Sequence, residues 1–394
     1  MSQSRKPKLS AYACQNVTET DIKSVCEILA SDYLTQGPAT VEFESKIANY
    51  IGVPTAENVS VVSSGTAALH LACLSLNVGA NTNVWVPSIS FVATANAPKL
   101  CGASVNFCDC NSLDGTLDLD SLEQKLIRAD QIGILPDVLM IVHLGGLPMQ
   151  IERILALKKQ FGFMLIEDAC HAFGAEYQDG TIVGSCSEIE VTTFSFHAIK
   201  NLTTAEGGAV VSTNTNVSER VKVLRSHGVV KGVDAKRPWI YDQAEIGLNY
   251  RLSDLQCSLG LSQLSRALES KLYRQKIAKS YIKSFDKMLS QSVFREMPEY
   301  KSVERSVWHL FRISLADHAK RDEIIKALTV HEIGFSVNYR PIPLNSFWRE
   351  CVEISDYQNA LIYSETTLSL PIHLKMEPKD AEYVASIVQS SIFN

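Results

Sequence analysis

Six short apolar segments, separated by stretches with helical spacing, constrain the fold of this chain more than any other feature. They lie between residues 58 and 212 and read NVSVVSS, NVWVPSISF, VLMIVHL, FMLIED, VTTFSF and GGAVVS. Segments that are apolar on both faces are typical of strands in a parallel sheet that helices cover on both sides. The pattern therefore predicts an α/β fold with a mostly parallel central sheet. Ligands of such sheets bind beyond the carboxyl ends of the strands.

The second half of the chain predicts a long helix and a smaller domain. Residues 251–290 have helical spacing, with lysines and arginines on one face. The other face carries Leu261, Leu264, Leu268 and Leu272. A polar stretch near 290–306 precedes mixed strand and helix patterns. We expect a large domain over residues 1–265, and over residues 266–394 an interdomain helix followed by a small C-terminal α+β domain.

Composition excludes several classes of function. The 394 residues are 46% hydrophobic and 20% charged, with a formal net charge of −6, which argues against nucleic acid or an anionic membrane as the main partner. The opening MSQSRKPKLS lacks the apolar core of a signal peptide, and no run of about twenty apolar residues occurs, so we expect a cytoplasmic protein without a membrane span. The ten cysteines form no CxxC pair, which predicts free thiols and no metal site.

Two of the strand ends carry residues suited to holding a charged ligand. In SSGTAAL, the small residues 63–66 follow a strand and open a helix, so backbone N–H groups and the helix dipole could hold a phosphate. The segment FMLIED carries Asp168 to the mouth of the sheet, with His171 three residues further on. The alternatives are ordinary: a helix cap, a turn aspartate and a structural histidine.

Lys200 follows a third strand, VTTFSF, in a run of apolar and small residues. An apolar pocket lowers the pKa of an amine and favours its attack on an aldehyde, although a surface lysine is the plain alternative. A phosphate cradle, an aspartate and a lysine at three strand ends together match the needs of pyridoxal phosphate. This cofactor requires an anion site, a carboxylate for its ring nitrogen and a lysine for its aldehyde.

These motifs, in their order along the chain, resemble the DegT-type sugar aminotransferases, which are pyridoxal-phosphate enzymes of fold type I. The matching segments are DYLTQGPATVEFE, SSGTAAL, VPSISFVATANAP, VHLGGLP, EDACHAFGAEY, FSFHAIKNLTTAEGGAVV, RSHGV and GLNYRLSDLQ. The resemblance covers nearly the whole chain and implies the fold and cofactor of that family.

The resemblance also implies roles for individual residues. Lys200 would form the Schiff base with the cofactor and shuttle a proton, Asp168 would pair with the pyridinium nitrogen, and His171 would lie by the phenolic oxygen. The remaining cofactor contacts would be Gly65, Thr66, Ala67, Phe91, Ser195 and Asn249. Phe91 would stack on the ring. Asn249 would reach the phosphate of the neighbouring subunit's cofactor, which implies a homodimer with shared active sites.

Within the family, the segments SFVATAN, SFHAIK, TTAEGGAVV, SHGV, LGLSQL and YRPIP resemble the aminotransferases of pseudaminic acid biosynthesis. Such enzymes use L-glutamate to aminate C4 of UDP-2-acetamido-2,6-dideoxy-β-L-arabino-hexos-4-ulose. The nucleotide-sugar contacts implied are Tyr12, Asp32, Tyr33, Leu34, Thr35, Asn338, Tyr339, Arg340 and Pro341. Tyr33 and Tyr339 could instead be core aromatics, and Arg340 an exposed salt-bridge residue. Gly146 in VHLGGLP departs from relatives that often carry a bulkier residue, so that part of the pocket wall is expected to differ.

Other functions stay open at this point. Related aminotransferases act on UDP-4-keto-arabinose or on GDP- and dTDP-linked 4-keto sugars. Dehydratases of the same fold replace the Schiff-base lysine with histidine, and Lys200 argues against that class. A regulator that binds the cofactor or a nucleotide sugar without turnover is the non-enzyme alternative.

Overall fold

The computed structural model describes residues 9–289, 294–296, 304–350 and 352–393, and its largest element is a seven-stranded sheet. The strands are β1 (Val59–Val62), β2 (Asn83–Pro87), β3 (Ser104–Cys108), β4 (Val138–Val142), β5 (Met164–Asp168), β6 (Val191–Ser195) and β7 (Gly208–Val211). Their order is β1-β7-β6-β5-β4-β2-β3. The pairs from β6 to β3 are parallel, whereas β7 runs antiparallel to both β6 and β1. The prediction of a mostly parallel sheet is confirmed.

All six predicted segments are strands of this sheet, and the residues of β4 show why they read as apolar throughout. Leu139 and Ile141 pack into the core on one face, while Val138 and Met140 pack into the core on the other. The prediction missed β3. That strand lies at the edge of the sheet and exposes Ser104 and Asn106, so it lacks a continuous apolar run.

Helices pack on both faces of the sheet. They are α1 (Glu19–Leu29), α2 (Pro38–Ile51), α3 (Gly65–Ser75), α4 (Ala93–Leu100), α5 (Leu119–Gln131), α6 (Ile151–Phe161), α7 (Thr215–Leu224) and α8 (Asp254–Leu264). Phe43 of α2 and Leu126 of α5 belong to one core, and Leu71 of α3 belongs to the other. A hairpin of β8 (Val229–Lys231) and β9 (Tyr241–Gln243) lies between α7 and α8.

The prediction of one helix over residues 251–290 is wrong, because the chain breaks after α8 and continues as α9 (Ala267–Leu289). At the break, Arg266 forms a two-pronged ion pair with the buried carboxylate of Asp21, with N–O distances of 2.8 and 2.5 Å. The break changes the face that α9 turns inward, so Leu268 and Leu272 are exposed. The buried apolar face of α9 is Ile277, Ala278, Tyr281, Ile282 and Phe285.

The C-terminal part contains a second, antiparallel sheet in the order β10-β11-β12. Its strands are β10 (Phe294–Glu296), β11 (Phe311–Leu315) and β12 (Thr367–Leu370), and the remaining helices are α10 (His318–Val330), α11 (Ser346–Arg349), α12 (Gln358–Thr366) and α13 (Pro378–Phe393). Tyr281, Ile324 and Val384 build a separate core against this sheet. Tyr363 of α12, by contrast, packs into a core of the large sheet. The domain boundary at residue 265 stays a prediction.

Two further features concern the predicted environment. Within the described ranges, no helix combines the length and the apolar character that a bilayer crossing requires. Each cysteine in those ranges is a free thiol; Cys351 lies outside them.

Candidate active site

A cavity of about 270 Å³ lies beyond the carboxyl ends of β5 and β6, next to the first turn of α3. Its wall contains many residues predicted from the sequence: Tyr12, Gly65, Thr66, Phe91, Asp168, His171, Ser195, Lys200 and Tyr339. These residues come from distant parts of the chain. Parallel pairing of β5 with β6, in which Asp168 faces Thr193, brings the two central strand ends together.

One end of the cavity is formed by the first turn of α3. Ser64 caps the helix by accepting the Ala67 N–H at 3.0 Å. A Cβ atom added at Gly65 would lie 2.8 Å from Ser195 Cβ and 3.0 Å from Ser195 Oγ, so only glycine allows this close approach. The first N–H groups of a helix have no acceptor within the helix and carry partial positive charge, which suits an anion. Ala67 is buried, its N–H serves the cap, and its side chain is absent from the cavity wall.

Asp168 supplies a buried carboxylate at the middle of the cavity. Its Oδ2 accepts a hydrogen bond from Thr94 Oγ1 at 2.7 Å, and its Oδ1 accepts the Cys170 N–H at 3.1 Å. The Thr94 hydroxyl lies 2.7 Å from that of Ser90, in the bend before α4. Two donors thus hold the carboxylate in one orientation and leave it able to accept a third hydrogen bond from a ligand.

Lys200 lies in the turn after β6, where its N–H donates to the His197 carbonyl at 2.9 Å. Burial lowers the pKa of the Lys200 amine below its usual value, and the neighbouring Cys170 and Asp168 oppose this shift. A lowered pKa raises the fraction of neutral amine, which is the nucleophilic form. The pKa of Lys200 is therefore lowered, as the sequence predicts for a lysine in an apolar pocket.

His171 lies in the wall between the two halves of the molecule. Its Nδ1 accepts the Gly145 N–H at 3.2 Å, and its Nε2 is 3.2 Å from the Tyr339 hydroxyl. The ring of His309 lies against it, with 4.3 Å between the ring centres. Burial holds the pKa of His171 well below its usual range, and the positive charges of Lys200 and Arg312 act in the same direction. His171 is therefore a neutral imidazole.

Several predicted residues do not line this cavity. Asn249 is exposed, as is the whole segment from Asp32 to Thr35. Tyr33 is 56% exposed, so its alternative interpretation as a core aromatic is wrong. Arg340 is also exposed and donates to the Leu344 carbonyl at 3.0 Å, while its neighbours Asn338 and Pro341 are buried.

The sequence interpretation missed other residues of the wall. Thr94 and Cys170 contact the Asp168 carboxylate. His197 and Glu206 also line the cavity, with 3.7 Å between Nε2 and Oε1. Thr94 could have been recognised, because it follows Ser90 at the four-residue spacing of a helical turn in SISFVAT. His309 carries no such local signal, since it approaches His171 only through the tertiary fold.

The comparisons with known proteins agree with this site. The profile of the DegT/DnrJ/EryC1/StrS aminotransferase family matches residues 15–389. A UDP-4-amino-4,6-dideoxy-N-acetyl-beta-L-altrosamine transaminase of Campylobacter jejuni is 37% identical over 376 residues, covering 95% of each chain. Helicobacter pylori PseC, an aminotransferase involved in the biosynthesis of pseudoaminic acid, superposes with a TM-score of 0.86 at 29% identity, covering 97% of this chain and 98% of that one.

A third relative is Spr1654 of Streptococcus pneumoniae in its PMP form. It superposes with a TM-score of 0.85 at 27% identity, covering 96% of this chain and 98% of that one. The fold and the site define a pyridoxal-phosphate-dependent sugar aminotransferase. This chain belongs to the DegT/DnrJ/EryC1/StrS aminotransferase family.

The cavity fits the cofactor of that family. Pyridoxal phosphate requires an anion site, a carboxylate and an amine. The first turn of α3, the Asp168 carboxylate and the Lys200 amine all face the same cavity. The close packing of Gly65 against Ser195 leaves backbone rather than side chain at the anion site.

Proposed function

We propose that this enzyme transfers an amino group from L-glutamate to C4 of a nucleotide-linked 4-keto-6-deoxy sugar. The sugar proposed is UDP-2-acetamido-2,6-dideoxy-β-L-arabino-hexos-4-ulose, the 4-keto substrate of pseudaminic acid biosynthesis. The observation that carries the proposal is the joint presence of Asp168, Lys200 and the first turn of α3 in one cavity. The names of the Campylobacter and Helicobacter relatives support the choice of sugar.

Each of these groups has a separate task in the proposed reaction. When bound, pyridoxal phosphate supplies an aldehyde that carries the amino group and a ring that withdraws electrons from the substrate carbon. Lys200 would hold the aldehyde at rest and afterwards, as a neutral amine, take up and return the proton of the reacting carbon. Asp168 would accept the N–H of the ring, with Thr94 and Cys170 keeping its carboxylate in place. The first turn of α3 and Ser195 would hold the phosphate.

Two aromatic side chains would enclose the ring and the sugar. Phe91 is exposed at the cavity wall, and its ring centre lies 6.1 Å from that of Tyr339. An exposed aromatic ring beside a cavity gains buried area when a planar ligand stacks on it. Phe91 is therefore proposed to cover the cofactor ring. Tyr12 and Tyr339 would face the sugar. His171 would lie near the phenolic oxygen of the cofactor.

The enzyme is proposed to act as a homodimer. Large apolar side chains are exposed around the β8–β9 hairpin, with Trp239 at 73% and Ile246 at 89% exposure. Exposed apolar side chains that cluster in this way are typical of a protein interface. Asn249 is exposed a few residues further on and does not line the cavity of its own chain. Both features favour a second copy of the chain that covers the hairpin and receives Asn249 at its phosphate site.

The test measures the absorbance spectrum of the purified enzyme. We expect an absorbance band of the bound cofactor that disappears on addition of L-glutamate and returns on addition of the keto sugar. Lys200→Ala should lose the glutamate response, because no amine remains to move the proton. Lys379→Ala, which removes an exposed lysine of α13 that pairs with Glu377, is the matched control and should behave as the wild type.

The sugar itself is tested with a panel of UDP-, GDP- and dTDP-linked 4-keto sugars and mass spectrometry of the products. The proposal is supported if, of all sugars in the panel, the UDP-linked N-acetylhexosamine is aminated with the highest kcat/KM. A preference for another nucleotide or for UDP-4-keto-arabinose contradicts the choice of sugar but leaves the reaction class intact. A wild-type enzyme whose absorbance ignores L-glutamate contradicts the choice of amino donor.

A further inference from the structure

The hydrogen bonds of His171 determine which of its ring nitrogens carries the proton. Nδ1 accepts the Gly145 backbone N–H, and an acceptor nitrogen bears no hydrogen. Because Nδ1 carries no hydrogen, the ring is not the doubly protonated cation, and burial, which lowers the pKa of His171, favours the same neutral state. A neutral imidazole has one proton, which must then be on Nε2. Nε2 is the nitrogen that lies 3.2 Å from the Tyr339 hydroxyl.

This tautomer also determines how Tyr339 is oriented. Because His171 Nε2 carries the proton, the imidazole donates and the phenol oxygen accepts. The phenol's own proton therefore points away from His171, and Tyr339 lies in the wall of the cavity that also holds Lys200. Burial raises the pKa of Tyr339, so the phenol keeps its proton near neutral pH. The Asn338 side chain is a further hydrogen-bond partner of Tyr339, and the phenol keeps a proton that it can donate to a ligand in the cavity.

One guanidinium group supports both partners of this pair. Arg312, on β11 of the small sheet, donates from Nη2 to the Leu144 carbonyl at 3.1 Å, in the turn that presents the Gly145 N–H. Its Nη1 lies 3.2 Å from the Tyr363 hydroxyl, which in turn donates to the Asn338 carbonyl at 2.9 Å. Asn338 precedes Tyr339 in the chain. Arg312 therefore holds both the turn that sets the tautomer and the segment that carries the phenol.

From these contacts we infer that Tyr339 is a catalytic residue that donates a proton to the substrate oxygen lost as water, and that Arg312 is its positioning residue. The inference rests on the proposed function, because that reaction exchanges a carbonyl oxygen for an amino nitrogen. In this inference Tyr339 protonates the departing oxygen, whereas Lys200 moves the proton of the reacting carbon.

The proton balance of this step closes within the site. When an amine replaces the carbonyl oxygen at C4, a C–N bond forms, the C–O bond breaks, and the two amine hydrogens leave with the oxygen as water. Tyr339 gives its proton to the oxygen and regains one from the nitrogen, so no external acid is consumed. During the transfer, the Nε2–H of His171 stabilises the charge on the phenol oxygen. Tyr339 would also act in the half-reaction with glutamate, in which water adds and 2-oxoglutarate is released.

The first test separates the oxygen step from the carbon step in the cofactor-loaded enzyme. Removing an acid–base group typically costs 10²–10⁴ in rate. For Tyr339→Phe we expect kcat for amination, and the release of 2-oxoglutarate, to fall about 100-fold. Exchange of the glutamate α-hydrogen with deuterated solvent should stay within about two-fold of the wild type, because Lys200 carries out that transfer. The matched control is Tyr383→Phe, which removes an exposed hydroxyl of α13 that lies 3.4 Å from Nδ1 of His331.

The second test reads the tautomer directly in cofactor-free protein. Nitrogen-15 NMR of histidine-labelled enzyme, assigned with His171→Gln, should show the His171 proton on Nε2 with no titration between pH 6 and 8. Arg312→Lys keeps a positive charge but loses the two-pronged contact, so the His171 signals should show a mixture of tautomers. The same variant should lower kcat with KM changed less than three-fold, since positioning rather than binding is lost.

The outcomes separate this inference from the proposed function. Loss of the cofactor band when wild-type enzyme meets glutamate, together with slow amination and unimpaired hydrogen exchange in Tyr339→Phe, supports the inference. Equal loss of exchange and amination in Tyr339→Phe overturns it in favour of a structural role, and so does a His171 proton on Nδ1. If the wild type itself fails to respond to glutamate, the proposed function fails instead, and the NMR result still decides the tautomer.

Discussion

A buried carboxylate directly behind the site allows a sharp test of the interactions that hold β5 in place. Glu167 is fully buried, yet it precedes Asp168 and faces the opposite side of the strand. It accepts hydrogen bonds from His143 Nε2 at 2.6 Å, from Thr192 Oγ1 at 2.7 Å and from the Tyr177 hydroxyl. The Nδ1 of His143 accepts the Met149 N–H at 3.1 Å, which places a ring proton on Nε2, facing Glu167. Three side chains thus donate hydrogen bonds to one buried carboxyl group.

Tyr177→Phe removes one of these donors without leaving a large cavity, since only the hydroxyl is lost. Tyr177 is 1% exposed, and burial together with the adjacent Glu167 raises the pKa of its phenol, which therefore donates. Hydrogen bonds to charged groups contribute about 1.5–3 kcal/mol to stability, and those between neutral groups about 0.5–1.5 kcal/mol. The control is Tyr281→Phe, whose equally buried hydroxyl donates to the neutral Pro371 carbonyl at 2.9 Å. We expect costs of about 2 and about 1 kcal/mol, respectively.

Urea denaturation of the cofactor-free variants, followed by fluorescence and circular dichroism, measures the two costs. If the two halves unfold separately, each variant is compared in the transition of its own half. A Tyr177→Phe cost no greater than that of Tyr281→Phe would refute the reasoning, because the hydrogen bond to Glu167 would then contribute no more than one between neutral groups. Unchanged m-values are required for the comparison.

Two further predictions concern the shared site and the effect of pH. Hybrid dimers of Lys200→Ala with Asn249→Ala subunits should regain activity that neither variant has alone, because one of their two sites would be intact; no recovery would mean that Asn249 serves its own subunit. His373 is fully buried, and burial, aided by Arg274, lowers its pKa to about 4 from 6.5. The unfolded state then binds the proton more readily, so this contribution to stability is present above pH 6.5 and falls by about 2 kcal/mol by pH 5. His373→Gln should reduce the loss of unfolding free energy between pH 7 and pH 5 by about that amount, and an unchanged loss would contradict the assignment.

The parts of the site that sequence predicted are those encoded locally. Asp168 ends one apolar strand, and Lys200 follows another. In a parallel sheet the carboxyl ends of the strands meet at one edge, so the pattern of apolar segments predicts that the two residues lie close together. Gly65 similarly opens a helix directly after a strand. The break before α9 escaped prediction because it depends on Arg266 meeting Asp21 across 245 residues of sequence.

The supporting residues behind the site are not predictable in the same way. Arg312 reaches the Leu144 carbonyl across 168 residues, and no spacing within RISL marks it as more than a strand arginine. The tautomer of His171 is set by a backbone N–H in a different turn, where Gly145 adopts a φ of 76°. These contacts can be identified only from the tertiary structure, because each joins two distant segments and neither local sequence indicates its partner.

The origin of each group in the wall suggests how one fold can serve different sugars. Asp168, Lys200 and the first turn of α3 all belong to the large sheet and its helices, where buried strands and short hydrogen bonds fix them. Tyr339 comes from a segment of the C-terminal part that Arg312 and Tyr363 hold against the large sheet. Under the proposed function, changes in that segment would reshape the part of the cavity that faces the sugar without moving Asp168 or Lys200. Substitutions that alter sugar preference should therefore lie in the segment around Tyr339 but spare the phenol itself, whereas substitutions of Asp168 or Lys200 should abolish turnover with every sugar.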